Sequence, residues 1–99
     1  MQQYVIRRPS AWASMEELAK AGAKSGMVIK EHMGGQVRWI RTYAVQEPDG
    51  RIGTFCIYEA ASGEAIRQHA RLVGMPGEEF YPVMSTIVIE KDPMTTMAA

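Results

Sequence analysis

The segment QVRWIRTYAVQEPDGRIGTFCIYEAASGEAIRQHARLVGMP, running from Gln36 to Pro76, narrows the architectures open to this chain. Gln36 to Gln46 alternates apolar and polar residues and reads as a long strand, and Ile52 to Glu59 reads as its partner. Between them, Pro48-Asp49-Gly50 supplies turn chemistry: proline presets one backbone dihedral and glycine accepts a positive one. A hairpin of this kind forces the two strands to lie side by side and antiparallel. Ser62 then serves as an N-cap with Glu64 in the first turn. Ile66, His69, Ala70 and Val73 make one helical stripe, and Gly74 and Pro76 stop the helix. Strict alternation places Trp39, Arg41, Tyr43, Thr54, Cys56 and Tyr58 on one face of the hairpin, the place where a ligand site is expected.

The flanks repeat the pattern. Tyr4, Val5 and Ile6 predict a short first strand ended by Pro9. Ser14-Met15-Glu16-Glu17 fits a capping box, in which a hydroxyl and a carboxylate satisfy the free amides of a helix start. Met15, Leu18, Gly22, Ser25, Ile29 and Met33 recur at helical spacing over about five turns. Gly22 and Gly26 each cost that helix roughly 1 kcal/mol relative to alanine, and on its inner face they predict a close approach to the sheet. Gly34 and Gly35 end it. Val83 to Ile89 predicts a last strand, and a loosely held tail is expected from about residue 92.

The order is β-α-β-β-α-β in a single domain of 99 residues. With right-handed crossovers this is the ferredoxin-like α+β arrangement: a four-stranded antiparallel sheet with two helices on one face. Both faces of the predicted hairpin are substantially apolar, so the uncovered face needs a cover. A second copy of the same sheet would provide it, giving a homodimeric α/β barrel. Eleven basic residues balance eleven acidic ones with no basic cluster, which argues against nucleic-acid binding. No apolar run reaches the roughly 20 residues of a membrane span, and no apolar secretory signal is read at the N-terminus. One cysteine suits a reducing compartment, so a soluble, cytoplasmic protein is expected.

Several side chains carry chemistry, each with a plainer alternative. His69 offers a neutral imidazole suited to nickel, copper or zinc, or is a hydrogen-bonded histidine between helix and sheet. His32 reads as a solvated residue at the end of the first helix. Cys56 is a soft ligand or a small buried hydrophobe. Arg41 anchors an anionic small molecule, or stacks on Trp39 and Tyr43. Trp39, Tyr43 and Tyr58 line a pocket or form interface core. Glu59, expected to point towards the helices, either joins His69 on a metal or makes a contact at the start of the second helix. The eight methionines are scattered along the chain and read as packing. There is no paired-histidine or CxxC spacing, no G-x-S-x-G, no Gly-rich phosphate loop and no sign of an organic cofactor.

The opening QYVIRR, the strand VRWIRTYAV, the run CIYEAASGEAIRQHARLVGMP and the closing IEKDPMTT together resemble a family of small bacterial ferredoxin-like proteins, first known as a domain of unknown function, with a nickel-binding member. The longer EPDGRIGT turn and a methionine-rich tail depart from that pattern. The resemblance implies a dimeric ferredoxin-like barrel, nickel binding in at least some members, and no established enzymatic reaction. The expected function is therefore a small homodimeric protein that binds a divalent metal, nickel in particular. His69 is the first ligand, with Cys56, Tyr58 and Glu59 as its partners. Two alternatives stand beside it. One is a dimeric-barrel enzyme, of monooxygenase or isomerase type, acting on a small aromatic or anionic substrate at the Trp39, Arg41, Tyr43, Cys56 and Tyr58 face. The other is a module that only dimerises.

Overall fold

The computed structural model describes residues 1–92. Its elements follow the expected order: β1 (Gln2–Trp12), α1 (Met15–His32), β2 (Val37–Gln46), β3 (Ile52–Ala60), α2 (Gly63–Val73) and β4 (Phe80–Pro82). The four strands form one sheet in the order β2-β3-β1-β4, every neighbouring pair antiparallel. Both helices pack on one face of it, which is the ferredoxin-like α+β fold.

Local chemistry sets the helix ends. The Ser14 hydroxyl accepts from the Glu17 amide at 3.2 Å, while the Glu17 carboxylate reaches back to the Ala13 amide at 3.0 Å. Ser62 caps α2 in the same way, accepting from the Ala65 amide at 3.2 Å. Gly74 ends α2 with a φ of 86°, a left-handed backbone that glycine adopts without a Cβ penalty. Ile66, His69, Ala70 and Val73 are buried as one stripe. Together with Ile6, Met33, Val37, Tyr58 and Ala60 they make the core between helices and sheet.

Four expectations are corrected. First, β1 runs past Pro9 to Trp12, because its register with β3 shifts between Arg8 and Trp12. That irregularity, with Ser10 at a φ of 50°, accommodates a residue that cannot donate to the ladder. Second, residues 83–89 do not form the last strand. The sheet ends at Phe80–Pro82, and the Val83 amide makes one more bond to the Gln3 carbonyl at 2.8 Å.

Third, the hairpin faces differ from strict alternation. Trp39 pairs with Tyr58, but Arg41, not Ile40, pairs with Ile57. Ile40 is a bulge residue, and one extra residue exchanges the faces of everything after it. The bulge brings Thr42 to the side of Trp39, and the helices cover that side: Trp39, Thr42, Cys56, Tyr58 and Thr54 face them, with Tyr4, Ile6 and Arg8 beside them on β1. Arg41, Tyr43, Phe55, Ile57 and Glu59 face the open side with Val5 and Arg7.

Fourth, only one of the two α1 glycines lies close to the sheet. A Cβ on Gly22 would stand 3.5 Å from the Trp39 ring, whereas one on Gly26 would meet nothing within 4 Å. Gly26→Ala should therefore stabilise the protein by about 0.5–1 kcal/mol, read as a raised urea midpoint with unchanged slope. A loss of stability would mean that the exposed side of α1 meets a surface absent from the single chain.

The tail expected from about residue 92 begins at the last described position, and from Pro93 on it lies outside the described residues.

Candidate functional site

The polar groups of the helix-facing side collect around Tyr58 on β3. Burial of a polar atom is tolerated when it finds a partner, so the bonds here can be followed one by one. On α1, Ser25 places its hydroxyl 3.2 Å from the Tyr58 phenol and 3.0 Å from His69 Nε2 on α2. The Tyr58 and His69 rings are 5.3 Å apart, and Trp39 stacks on the other side of Tyr58 at 6.1 Å. His69 and Tyr58 are fully enclosed. Burial, reinforced by the positive charge of Arg8, pushes the His69 imidazolium down to about 4, and the Ser25 bond offsets this only in part. Burial likewise pushes the Tyr58 phenol up to about 12, against the Ser25 and Arg8 interactions. At neutral pH both side chains are therefore uncharged.

A second group of bonds centres on Cys56. Arg8 Nη1 donates to its Sγ at 3.2 Å and the Thr42 hydroxyl donates at 3.3 Å. Thr42 Oγ1 accepts in turn from the Trp39 indole at 2.8 Å, which leaves its own proton for the sulfur. Arg8 Nε donates to the Pro76 carbonyl at 2.5 Å. Arg8 is thus a buried cation whose hydrogen-bond partners are a carbonyl and a sulfur rather than a carboxylate. Its Nη2, the Thr54 hydroxyl across the β1–β3 register and His69 Nδ1 find no partner among the described residues.

The expected site residues are split by the sheet. Trp39, Cys56, Tyr58 and His69 come together on the helix side. Arg41 and Tyr43 lie on the open side, where Arg41 donates to the Tyr43 hydroxyl at 2.9 Å and pairs with Asp92. Glu59 also faces the open side, contrary to expectation, and binds Arg38 at 3.0 Å. It does not join His69. His32 is exposed, as expected. Among the described residues no group of three or more His, Cys, Asp or Glu side chains is placed to hold a metal ion.

Sequence reasoning missed Arg8, Ser25 as a hydrogen-bonding group, and Thr42. Arg8 was reachable: it continues the alternation of Tyr4 and Ile6 towards the helices. Ser25 stands on the inner stripe of α1, where a hydroxyl needs a buried partner.

The model of a family described as nickel-responsive, SCO4226-like proteins matches residues 4–83. The chain belongs to this family. The crystal structure of SCO4226 from Streptomyces coelicolor A3(2) is similar, with a TM-score of 0.66 at 19% identity, covering 86% of this chain and 99% of that one. At that identity the likeness to SCO4226 establishes a shared fold. No curated protein matches the sequence. The SCO4226-like match takes in Arg8, Ser25, Cys56, Tyr58 and His69, and it ends where β4 gives way to residues 84–92.

Proposed function

We propose that the protein is a cytoplasmic homodimer that binds nickel on the helix side of its sheet, with His69 and Cys56 as the ligands this chain supplies. The observation that carries the reading is the unpartnered Nδ1 of His69, fully buried and on a ring kept neutral at physiological pH. When Nε2–H donates to Ser25, Nδ1 presents a lone pair, and a fixed second nitrogen is what orients a ligating imidazole. Family membership supports the choice of metal. The donors fit nickel in kind, imidazole nitrogen and soft sulfur, and fall short in number, so solvent has to complete the coordination. Glu59 is not one of them, being on the other side of the sheet. Arg8 opposes a cation here, and its bond to Cys56 has to open for the sulfur to ligate.

Calorimetric titration of the metal-free protein with nickel tests this, repeated on His69→Ala and Cys56→Ser. Binding tighter than millimolar is expected, weakened about tenfold or more in each variant that circular dichroism shows to be folded. Absence of binding by the wild type, or equal binding by both variants, removes the reading.

The homodimer is supported by the open side of the sheet, where Tyr43 and Phe55 are exposed beside Ile57 and Val5. A second reading rests on the same side. A groove of about 790 Å³ there lies between the sheet, at Gln3, Arg41, Tyr43 and Ile57, and the chain's own Ser85 to Glu90 with Asp92, a fit for a small anionic or aromatic substrate while that segment stays in place. An organic molecule co-purifying in native mass spectra, and lost in Arg41→Ala, would favour that enzyme reading.

A further inference from the structure

Residues 84–92 follow the stretch that the family model matches. They leave the sheet at the β4 edge and cross its open side, and Asp92 reaches Arg41 on β2, the strand at the opposite edge. Ser85 to Ile89 has strand-forming composition, with no proline or glycine. Yet Ile87, Val88 and Ile89 are 81%, 74% and 86% exposed, and Met84 is 99% exposed.

Successive side chains of an extended segment point to opposite sides. A strap lying on its own sheet would therefore bury either Val88 or the Ile87 and Ile89 pair. Here neither side is buried, so the contact with its own sheet does not satisfy this segment. What it lacks is a backbone edge to pair with and a surface for its side chains. The outer edge of β2 supplies the first, since among the described residues β2 pairs only with β3. It also carries Arg41, complementary to Asp92 on the segment, beside Arg38, which is bound to Glu59.

We propose that residues 84–92 are an exchanged arm: in the homodimer they extend along the β2 edge of a second copy, and Asp92 pairs with the partner's Arg41. The predicted strand at Val83 to Ile89 then forms only between copies. This rests on the homodimer proposed above and names the segment that holds it together.

Complementary charge reversal tests the exchange. Arg41→Asp and Asp92→Arg, each in the full chain, place like charges at both contacts of an exchanged homodimer. Each variant should dimerise about tenfold more weakly than wild type by light scattering across a concentration series. Mixed together, the two should regain wild-type affinity, because an exchanged heterodimer carries opposite charges at both contacts. A contact made within one chain stays repulsive in each variant, and mixing restores nothing. Variants that dimerise like wild type, or that gain nothing on mixing, overturn the arm and leave the homodimer standing. A wild type that stays monomeric at every concentration overturns both.

Discussion

Taking the metal-free protein from pH 7 to pH 4 should cost about 3 kcal/mol of stability through His69 alone, the span from 6.5 in the unfolded chain to about 4 in the folded one. The sign follows from which state holds the proton. Between those values the unfolded chain binds a proton at His69 and the folded chain does not, so stability falls as pH falls. The loss begins near pH 6.5 and levels off below about pH 4. The groups facing the ring explain why the folded state refuses the proton: Ser25 from α1 and Tyr58 from β3 are neutral, and Arg8 from β1 is positive. The carboxylates of Glu47 and Glu64, held below their usual range by Arg7 and Arg71, add their loss at the acid end, below about pH 4.5. His69→Gln separates the two contributions, because an amide keeps a bond to Ser25 and does not titrate. Urea unfolding from pH 7 to pH 5 should show a falling midpoint for wild type and a nearly flat one for the variant. Equal slopes in the two proteins would place the acid sensitivity elsewhere.

What could be read in the chain, and what could not, follows from the range of the interactions. Ser14, Ser62, the Pro48-Asp49-Gly50 turn and the α2 stripe act through neighbours a few residues away, and each stands where its local chemistry puts it. The faces of the hairpin did not follow, because a single extra residue at Ile40 reverses alternation and nothing in RWIRT marks it. The bulge parts Arg41 and Tyr43 from Trp39, while Cys56 and Tyr58 meet His69 because the helices cover the Trp39 side of the sheet, which leaves Glu59 on the open side. Arg8 keeps the regular register, opposite Thr54, and what marks it is its bonds to Cys56 and to the Pro76 carbonyl, partners far away in sequence. The segment from Val83 to Ile89 has the composition of a strand, yet beyond the Val83 amide bond to Gln3 it leaves the ladder of its own sheet. Composition reports a propensity, and whether a strand forms depends on an edge to pair with, which composition does not report.

Gly77→Ala should destabilise the protein by about 2–4 kcal/mol, lowering its melting temperature by roughly 10–20 °C. The loop after α2 turns back onto the helix, and a Cβ at Gly77 would stand 2.2 Å from the Ala70 Cβ. That neighbour is a methyl fixed to the helix backbone, so it cannot swing aside as a long side chain would. The loop has to lift instead. Pro76, one residue earlier, accepts from Arg8 Nε, so lifting the loop strips a buried guanidinium of one of its two partners. The penalty thus combines a steric term with an unsatisfied buried charge. Gly53 provides the contrast. A Cβ there meets the end of the Glu47 side chain, which can swing away at the expense of its 2.6 Å contact with Arg7, so Gly53→Ala should cost less. Ala70→Gly alone should cost about 1 kcal/mol as a helix glycine. Combined with Gly77→Ala it removes the clash, so the double variant should be more stable than Gly77→Ala alone, with a coupling of about 1–3 kcal/mol. Strict additivity in thermal unfolding would show that the loop yields without loss, and that the Arg8–Pro76 bond does not hold it against α2.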